Sequence, residues 1–572
     1  MPPPFAATRT LPDVLALLDT DFIELATGVA GGGYAIWLGS GISFDQMPQL
    51  LDLPEIVLEH LRLRMNLAGP CPYRDSLTRI LALTPLSDAE KASIDYAQPV
   101  STWTQLDLIR RSLVRDYARM MDQSPAGQAP DYLLWDGVEV VRRYADPTVA
   151  PGVEHLALAA LIVEGVAPDI ASGNWDGLVE AAVTQIASDQ PGILQVRVLE
   201  AEYRLGAAAR ARLYKFHGCA VLARQNQAAY RGSLIGRQSQ LDAWAAEHPV
   251  AEAQLVRMAV NQPTLMLGFS AQDFNIRNVF IRARVQMTWP FPNHPPAFVF
   301  SEDHIGPDQQ AVLRNQYPTV YDDRQEQIDA ASLLRAYAAH LLPALWLCVV
   351  EIKLGALAAV AAPDLAPDDH AALKVGLKAL RDHAAAACDG LERKSFVDGA
   401  LAHLGRALAL AREGQLTAAG GAAYAPITTG PSSEIATDHN LTASGLPQVA
   451  LAAAVLGYGD AIGAWTCGVT FPVVPTAGAM RLEGGRRGVE VFFAANERAA
   501  ARLVSKGHVD TGDEVVLIHS EPITAPAARS SGRTFGRLPP GLRVREVSVR
   551  SMIDSGADLA SLVQHCQLEF QL

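Results

Sequence analysis

The sequence predicts an α/β protein with a doubly wound parallel sheet, and three observations support that prediction. Between about residues 150 and 345, helical runs alternate with short β-rich runs, which is the pattern of βαβ units. A glycine turn directly follows the first buried strand. The chain has 572 residues, of which 49% are hydrophobic and 19% charged, a balance typical of a folded protein with several domains.

The N-terminal part of the chain contributes one strand and a long helical segment. A helix from Val14 to Ala26 precedes a buried strand from Tyr34 to Leu38 and its glycine turn. From about 46 to 150, apolar residues recur at three- and four-residue spacing, which predicts a large helical insertion without a strand.

After the insertion, the alternation of helices and strands predicts the rest of the sheet. The β-rich runs are PDIASGN, ILQVRVLE, RLYKFHG, TLMLGFS and PAFVFSE. A helix over 325–346 closes the domain, which we place at residues 1–345. With the glycine turn, this order predicts a Rossmann-like fold, whose ligands bind beyond the carboxyl ends of the strands.

The remaining chain is expected to form two further parts. Residues 346–420 are rich in Ala and Leu and predict a helical segment. Gly, Pro, Ser and Thr dominate from Gly420 to Leu446, which indicates a linker or long loop. The strand-like runs GVEVFFAA, DEVVLIHS and LRVREVSV then alternate with helical runs, so residues 421–572 predict a smaller α/β or α+β domain for partner binding, sensing or assembly.

Charge and cysteine content narrow the function classes. The net charge of −14 disfavours a protein that binds polyanions through its overall charge. The 6 cysteines form no CxxC pair, so we expect reduced thiols and no metal site. The N-terminus lacks the pattern of a signal peptide, and the uncharged run from Leu446 to Tyr458 is shorter than the ~20 residues of a membrane span. A cytoplasmic protein without a membrane segment is expected.

Candidate binding residues lie in turns that follow predicted strands. These turns are Gly39-Ser40-Gly41-Ile42-Ser43, Ser172-Gly173-Asn174-Trp175-Asp176, Lys215-Phe216-His217-Gly218, and Gly268-Phe269-Ser270 with Asp273 to Arg277 after it. Taken singly, each also has a purely structural interpretation. Asn174 would cap a helix, His217 would be a core histidine, and Asp273 would pair with Arg277 on a helix surface. Glycines after a strand instead allow close approach of the backbone to a pyrophosphate.

In order and placement, these turns resemble motifs of the sirtuin family, most of all the divergent bacterial domains of antiphage defence proteins. G-S-G-I-S is similar to the family's G-A-G-x-S, S-G-N-W-D to its T-Q/T-N-x-D, and H-G to its catalytic histidine motif. The stretch G-F-S-x-x-D-x-N-I-R resembles the G-Y-S-x-x-D-x-N-I-R of the divergent branch. The resemblance covers about residues 30–345.

The resemblance implies that the ligand is NAD, used as substrate. It places Gly39, Ser40, Gly41 and Ser43 at the pyrophosphate and Gly268 and Ser270 under the adenosine half, and it counts Asp273 among the cofactor-binding residues. It implies as catalytic residues Asn174, Asp176 and His217. Cleavage of the N-glycosidic bond leaves an oxocarbenium-like ribose; an Asn can hold a water or a ribose hydroxyl for it, and a His can take the proton.

Departures from the family pattern bear on the reaction. Deacylating sirtuins carry a four-cysteine zinc module and a D-F-R loop, whereas this chain has no CxxC and continues F-D-Q-M-P-Q-L after its first motif, which leaves the role of Asp45 open. This favours water as acceptor and hydrolysis of NAD to nicotinamide and ADP-ribose. The alternatives are an NAD-dependent deacylase or ADP-ribosyltransferase, and a non-catalytic sensor of NAD or ADP-ribose.

The resemblance also implies a biological setting, in which NAD depletion after phage detection is an abortive infection and the enzyme is silent until triggered. Related proteins act with a short Argonaute, with a HerA-like ATPase or as oligomers, and no motif here decides among these. An arginine-rich stretch from Arg529 to Arg550 would contact nucleic acid or an acidic partner; alternatively, it is a solvated loop.

Overall fold

The computed structural model describes most of the chain in full-atom detail. The described residues are 5–66, 68–187, 190–206, 208–287, 289–291, 296–416, 424–469, 477–485, 487–509, 515–520, 532–534, 545–554 and 558–570.

A seven-stranded, all-parallel sheet organises the N-terminal unit, which confirms the predicted α/β fold class. The strands lie in the order β3-β4-β2-β1-β5-β6-β7. Their bounds are β1 (Ala35–Leu38), β2 (Asp169–Ser172), β3 (Leu194–Arg197), β4 (Ala211–Lys215), β5 (Thr264–Leu267), β6 (Phe298–Ser301) and β7 (Leu333–Leu334). The central strands are short runs buried on both faces, as helices on both sides of a parallel sheet require.

The topology of this sheet determines where a ligand can bind. From β1 the chain proceeds to β2 on one side, and after β5 it builds the sheet on the other side of β1. The direction of winding therefore reverses between β1 and β5. A crevice opens at the carboxyl ends of two such strands because their following loops diverge.

Helices cover both faces of the sheet, and the segment between β1 and β2 is helical as predicted. The helices of this unit are α1 (Leu11–Leu18), α2 (Ile23–Ala30), α3 (Leu53–Arg62), α4 (Pro72–Leu81), α5 (Asp88–Ala92), α6 (Leu106–Leu113), α7 (Tyr117–Met121), α8 (Val140–Tyr144), α9 (Val153–Val163), α10 (Leu178–Ala187), α11 (Glu200–Tyr203), α12 (Ala220–Gln225), α13 (Gln227–Tyr230), α14 (Gln238–Glu247), α15 (Pro249–Asn261), α16 (Phe274–Arg284), α17 (Pro307–Gln316) and α18 (Tyr321–Ser332). The insertion shares an apolar core with the sheet side, to which Trp175, Leu178 and Ala220 also belong.

Two of the expected helices are divided in the structure. The helix predicted from Val14 to Ala26 is the pair α1 and α2. The helix predicted over 325–346 is interrupted by β7, because Leu333 and Leu334 pair with β6 and Leu334 is fully buried. Sheet pairing and burial there outweigh local helix propensity.

A second unit combines the helical segment with a mixed, six-stranded sheet. Its helices are α19 (Ala338–Ala361), α20 (Pro367–Ala386), α21 (Arg393–Glu413), α22 (His439–Thr442), α23 (Leu446–Ala461), α24 (Glu497–Ser505), α25 (Val549–Asp554) and α26 (Leu559–Phe570). Its strands are β8 (Thr466–Gly468), β9 (Met480–Gly484), β10 (Arg487–Ala494), β11 (Val515–His519), β12 (Gly532–Thr534) and β13 (Arg545–Ser548), in the order β12-β13-β11-β10-β9-β8. The boundary expected at 345 falls inside α19, and one core joins α19, α20 and α23 to this sheet.

The arginine-rich stretch falls mainly outside the described residues. Arg529, Arg537 and Arg543 lie there, whereas Arg533 and Arg545 belong to β12 and β13, and Arg550 is exposed on α25.

Among the described residues, α19 is long and apolar enough to cross a membrane, and 50% of its most apolar window is buried inside the molecule. The run from Leu446 to Tyr458, singled out from the sequence, forms most of α23 and packs against α19 and α20.

A buried ion pair joins the two units. Lys353 Nζ of α19 lies 2.7 Å from Glu164 Oε2 at the end of α9, and both side chains are fully buried. The Tyr424 hydroxyl and the Ile427 amide donate to the other oxygen of Glu164, and Lys353 also donates to the Thr428 carbonyl (3.2 Å). Every member has a partner, so this network offsets the desolvation of its charges only while it is complete.

Replacing Lys353 by Met should leave the Glu164 carboxylate buried without its cation. We expect the free energy of unfolding to fall by about 3–5 kcal/mol, measured by urea denaturation. Lys374→Met is the matched control, because Lys374 is exposed on α20 and its loss should cost less than about 0.5 kcal/mol. Equal stability of the two variants would contradict this account of the pair.

Candidate functional site

One pocket lies at the carboxyl ends of β1, β2, β4 and β5, where the winding of the sheet reverses. It encloses about 1020 Å³, counting the space open to solvent at its mouth. All four sequence motifs reach it. Of the residues predicted for the site, those lining it are Gly39, Ser40, Ser43, Asn174, Asp176, His217, Gly268, Ser270 and Asp273. Gly41 is exposed and is not part of the lining.

The glycine turns after β1 and β5 pack directly against each other. The Gly39 amide donates to Leu267 O (3.0 Å) and the Gly41 amide to Gly268 O (3.1 Å). A Cβ on Gly41 would lie 2.7 Å from Gly268 Cα, and Gly268 adopts a φ of +58°. Gly41 therefore brings two backbones together, and its N–H is already used by the protein rather than free for a phosphate.

The loop after β5 is also strained beyond its glycine. Ala271, which is buried and lines the pocket, has a φ of 56°. A left-handed conformation costs an alanine roughly 1–2 kcal/mol. Strain of this kind persists where the surrounding structure holds it, and functional sites are where it concentrates.

Asn174 is fixed by the first motif. The side-chain Nδ2 of Asn174 donates to the Gly39 carbonyl (3.0 Å), and the backbone N–H of Asn174 donates to Ser172 Oγ (3.1 Å). These bonds leave Oδ1 as the acceptor that the side chain can offer to a hydroxyl group. The alternative role of Asn174 as a helix cap is wrong, because Asp176 Oδ1 accepts from the Leu178 amide (3.1 Å) at the start of α10.

Asp176 is held by a hydrogen-bonded chain that the sequence motifs did not reveal. Its Oδ2 accepts from Ser43 Oγ (3.1 Å), and Ser43 Oγ lies 3.2 Å from Nε2 of the fully buried His155. The Gly152 amide donates to His155 Nδ1 (3.1 Å), which assigns the proton to Nε2. His155 thus donates to Ser43, and Ser43 donates to Asp176. Ser43 therefore positions the Asp176 carboxylate and also lines the pocket.

A buried lysine ties the second motif to the third. Lys215 Nζ, at the end of β4, donates to the Asp176 carbonyl and to Glu180 Oε1 (2.9 Å). The Trp175 carbonyl accepts from the Ala220 amide (2.8 Å). The loop that carries Asn174 and Asp176 is therefore attached to the strand end that carries His217.

His217 and Asp273 form a close pair in the pocket wall. His217 Nε2 lies 2.7 Å from Asp273 Oδ2, although off the line of a well-directed hydrogen bond, and both side chains are mostly buried. Burial raises the pKa of Asp273, but His217 and the amides of Asn275 and Ile276 outweigh it, so that pKa lies below its usual range. The Asp273 carboxylate therefore faces the Nε2 side of the His217 imidazole ring.

The alternative pairing of Asp273 with Arg277 is wrong. Asp273 contacts His217 and caps α16 through the Asn275 amide (2.8 Å), and Arg277 pairs with Asp308 (2.7 Å). The i, i+4 spacing alone did not distinguish these arrangements, because the partners come from β4 and α17.

The helical insertion forms one wall of the pocket, which sequence reasoning missed. Its contributions to the lining are Met47, Pro48, Gln49, Leu50, Arg115, Tyr117 and Tyr144. The Tyr144 hydroxyl donates to the Pro48 carbonyl (2.7 Å). The Tyr144 ring packs edge-on against the Trp175 ring, with 5.4 Å between the ring centroids. Burial and the charge of Asp273 raise the pKa of Tyr117. No local sequence signal marks these residues, because long-range packing brings them to the motifs.

A scan against protein-family models and a search of curated proteins gave no match to this chain. The likeness to sirtuins thus rests on the motifs themselves. In the part of the chain that the structure describes, no group of three or more His, Cys, Asp and Glu side chains is arranged to hold a metal ion, and all 6 cysteines are free thiols.

Gly268→Ala should separate the two glycine turns. The added Cβ would lie 2.5 Å from the Ile42 nitrogen at a φ that alanine rarely adopts, so we expect a lower midpoint of thermal unfolding. Gly232→Ala is the control, since a Cβ there meets no atom within 4 Å and its φ is not positive. An unchanged unfolding midpoint in Gly268→Ala would show that this contact does not hold the two turns together.

The lowered pKa of Asp273 predicts a pH-dependent contribution to stability. The ionised carboxylate stabilises the fold above the ordinary Asp pKa of about 3.9, and this contribution is lost as pH falls through the lower folded value. The difference in unfolding free energy between wild type and Asp273→Asn should therefore be full at pH 7 and shrink below about pH 4, as urea denaturation can measure. Asn440→Ala, which removes no titratable group at an exposed position, is the control.

Proposed function

We propose that the chain is a sirtuin-like NAD⁺ glycohydrolase, which converts NAD⁺ and water to nicotinamide, ADP-ribose and a proton. The observation that carries the proposal is the convergence of Asn174, Asp176 and the His217–Asp273 pair on one pocket beside the glycine turns. This places a polar amide, a carboxylate and a basic imidazole around a crevice of the type that binds dinucleotides.

Each of these side chains has a role that its contacts support. Asn174 offers Oδ1 to a ribose hydroxyl or a water, since its Nδ2 is bound to Gly39. Asp176 is held by Ser43 and Leu178, and it orients whichever of the ribose hydroxyl and the water Asn174 does not hold. His217 accepts the proton that the attacking water releases, and Asp273 stabilises the resulting imidazolium. Orientation of sugar and water supplies much of the acceleration.

Water is the proposed acceptor because the insertion occupies one side of the pocket. Tyr144 and the segment from Met47 to Leu50 line the wall that faces the motifs. A deacylase or ADP-ribosyltransferase needs room there for a protein side chain. This wall favours a small acceptor, and water is the smallest.

The biological role that we propose follows the resemblance. The enzyme would be the toxic effector of a bacterial antiphage system in the cytoplasm, silent until triggered, and the second unit would serve sensing, assembly or partner binding. A short Argonaute, a HerA-like ATPase and further copies of the chain are the proposed partner classes.

The test is chromatography of NAD⁺ incubated with the purified protein. Wild type should release nicotinamide and ADP-ribose without any protein acceptor, with candidate partners added where the chain alone is silent. Asn174→Ala and His217→Ala should each lower the rate by at least ~100-fold, because each removes a positioning or proton-transfer group.

His304→Ala and Asn440→Ala are matched controls at exposed positions outside the pocket, and they should retain wild-type rates. Equal turnover by Asn174→Ala, His217→Ala and wild type would contradict the site assignment. Turnover only in the presence of a protein acceptor would replace the hydrolase by a transferase.

A further inference from the structure

The charges that line the pocket are unevenly distributed. The loops of the sheet contribute Asp176, Asp273 and His217, whereas the insertion contributes Arg115. Within the described part of the chain, Arg115 is the one lysine or arginine in the lining. A dinucleotide carries two negative charges on its pyrophosphate, and the carboxylates repel them. The pocket therefore needs a cation for a phosphate-bearing ligand, and Arg115 is placed to supply it.

Arg115 has no acidic partner among the described residues, unlike six other arginines of the insertion. Those within ion-pairing distance of an acid are Arg62, Arg110, Arg111, Arg119, Arg142 and Arg143. The acid next to Arg115 in sequence, Asp116, is already bound to Arg119 (2.9 Å). The Arg115 guanidinium is exposed and keeps its donors for a ligand.

The turn that carries Arg115 is attached to the sheet side of the pocket. It connects α6 to α7, and Tyr117, the first residue of α7, lies near enough to Asp273 to feel its charge. α7 also packs against α14. Arg115 thus lines the same pocket as Gly39 and Ser40 of the first glycine turn and as the loop after β5, which the resemblance places under the adenosine half of the ligand.

We propose that Arg115 binds the pyrophosphate of the dinucleotide, so that the helical insertion is part of the substrate site. This inference rests on the proposed function and extends it to substrate class. The first motif continues F-D-Q-M-P-Q-L without an arginine, and the Gly41 amide is bound to Gly268 O, so the turn supplies no cation and has one backbone donor fewer for a phosphate. A guanidinium contacts two phosphate oxygens at once and carries a full positive charge, which a neutral turn lacks. The enzyme should therefore require a pyrophosphate-bearing nucleotide.

Calorimetry with ADP-ribose and with adenosine, which lacks phosphate, tests the proposal on the full chain. Arg115→Gln should weaken ADP-ribose binding roughly tenfold or more, as loss of a charge-assisted hydrogen bond predicts, and leave adenosine binding unchanged. Arg115→Lys should restore part of the affinity. Raising the salt concentration should weaken ADP-ribose binding to wild type more than to Arg115→Gln, because screening acts on the charge that the variant lacks.

Arg111→Gln is the matched control, since Arg111 is exposed on the neighbouring α6, pairs with Asp107 and does not line the pocket. Equal ADP-ribose affinity of wild type and Arg115→Gln would overturn the proposal and leave the hydrolase intact. An equal loss of adenosine and ADP-ribose binding would also overturn it, because it would indicate a structural role. Failure of wild type to bind ADP-ribose would reject both the inference and the proposed function.

Discussion

The site depends on a backbone contact between two turns that leaves no space for side chains. Gly41 and Gly268 meet so closely that a single Cβ would separate the loops after β1 and β5. These strands are neighbours at the point where the winding of the sheet reverses. The contact therefore determines the width of the crevice. It also sets the distance between Asn174, which donates to the Gly39 carbonyl, and the loop that carries Asp273.

Helix α9 connects this site to the rest of the molecule. Near its start, His155 donates to Ser43, which holds Asp176 at the pocket. Just after its end, Glu164 binds Lys353 of α19, the helix on which the second unit packs. Every side chain from Val153 to Val163 is buried, so the helix is fixed on all sides. A single rigid element thus carries buried polar contacts toward both the candidate site and the second unit.

Much of the fold could be predicted from the local sequence pattern, and particular residues show where such prediction failed. The runs AIWL, DIAS and TLML are short, apolar and followed by turns, so β1, β2 and β5 were identifiable. β7 was not, since Leu333 and Leu334 continue a helical pattern and become a strand only because β6 offers them a free edge. The wall containing Arg115 and Tyr117 was also missed, because nothing local relates α6 and α7 to motifs far away in the chain.

The sequence by itself determined the α/β class, the helical insertion and the turns that carry Asn174, His217 and Asp273, because periodicity and glycine turns are local properties of the chain. Only the tertiary structure decided what these residues contact. In the folded chain His217 lies against Asp273, and Ser43 donates a hydrogen bond to Asp176. Such contacts depend on distances between loops that follow different strands. Those distances are determined by strand order and by the packing of glycine backbones, which no spacing along the chain encodes.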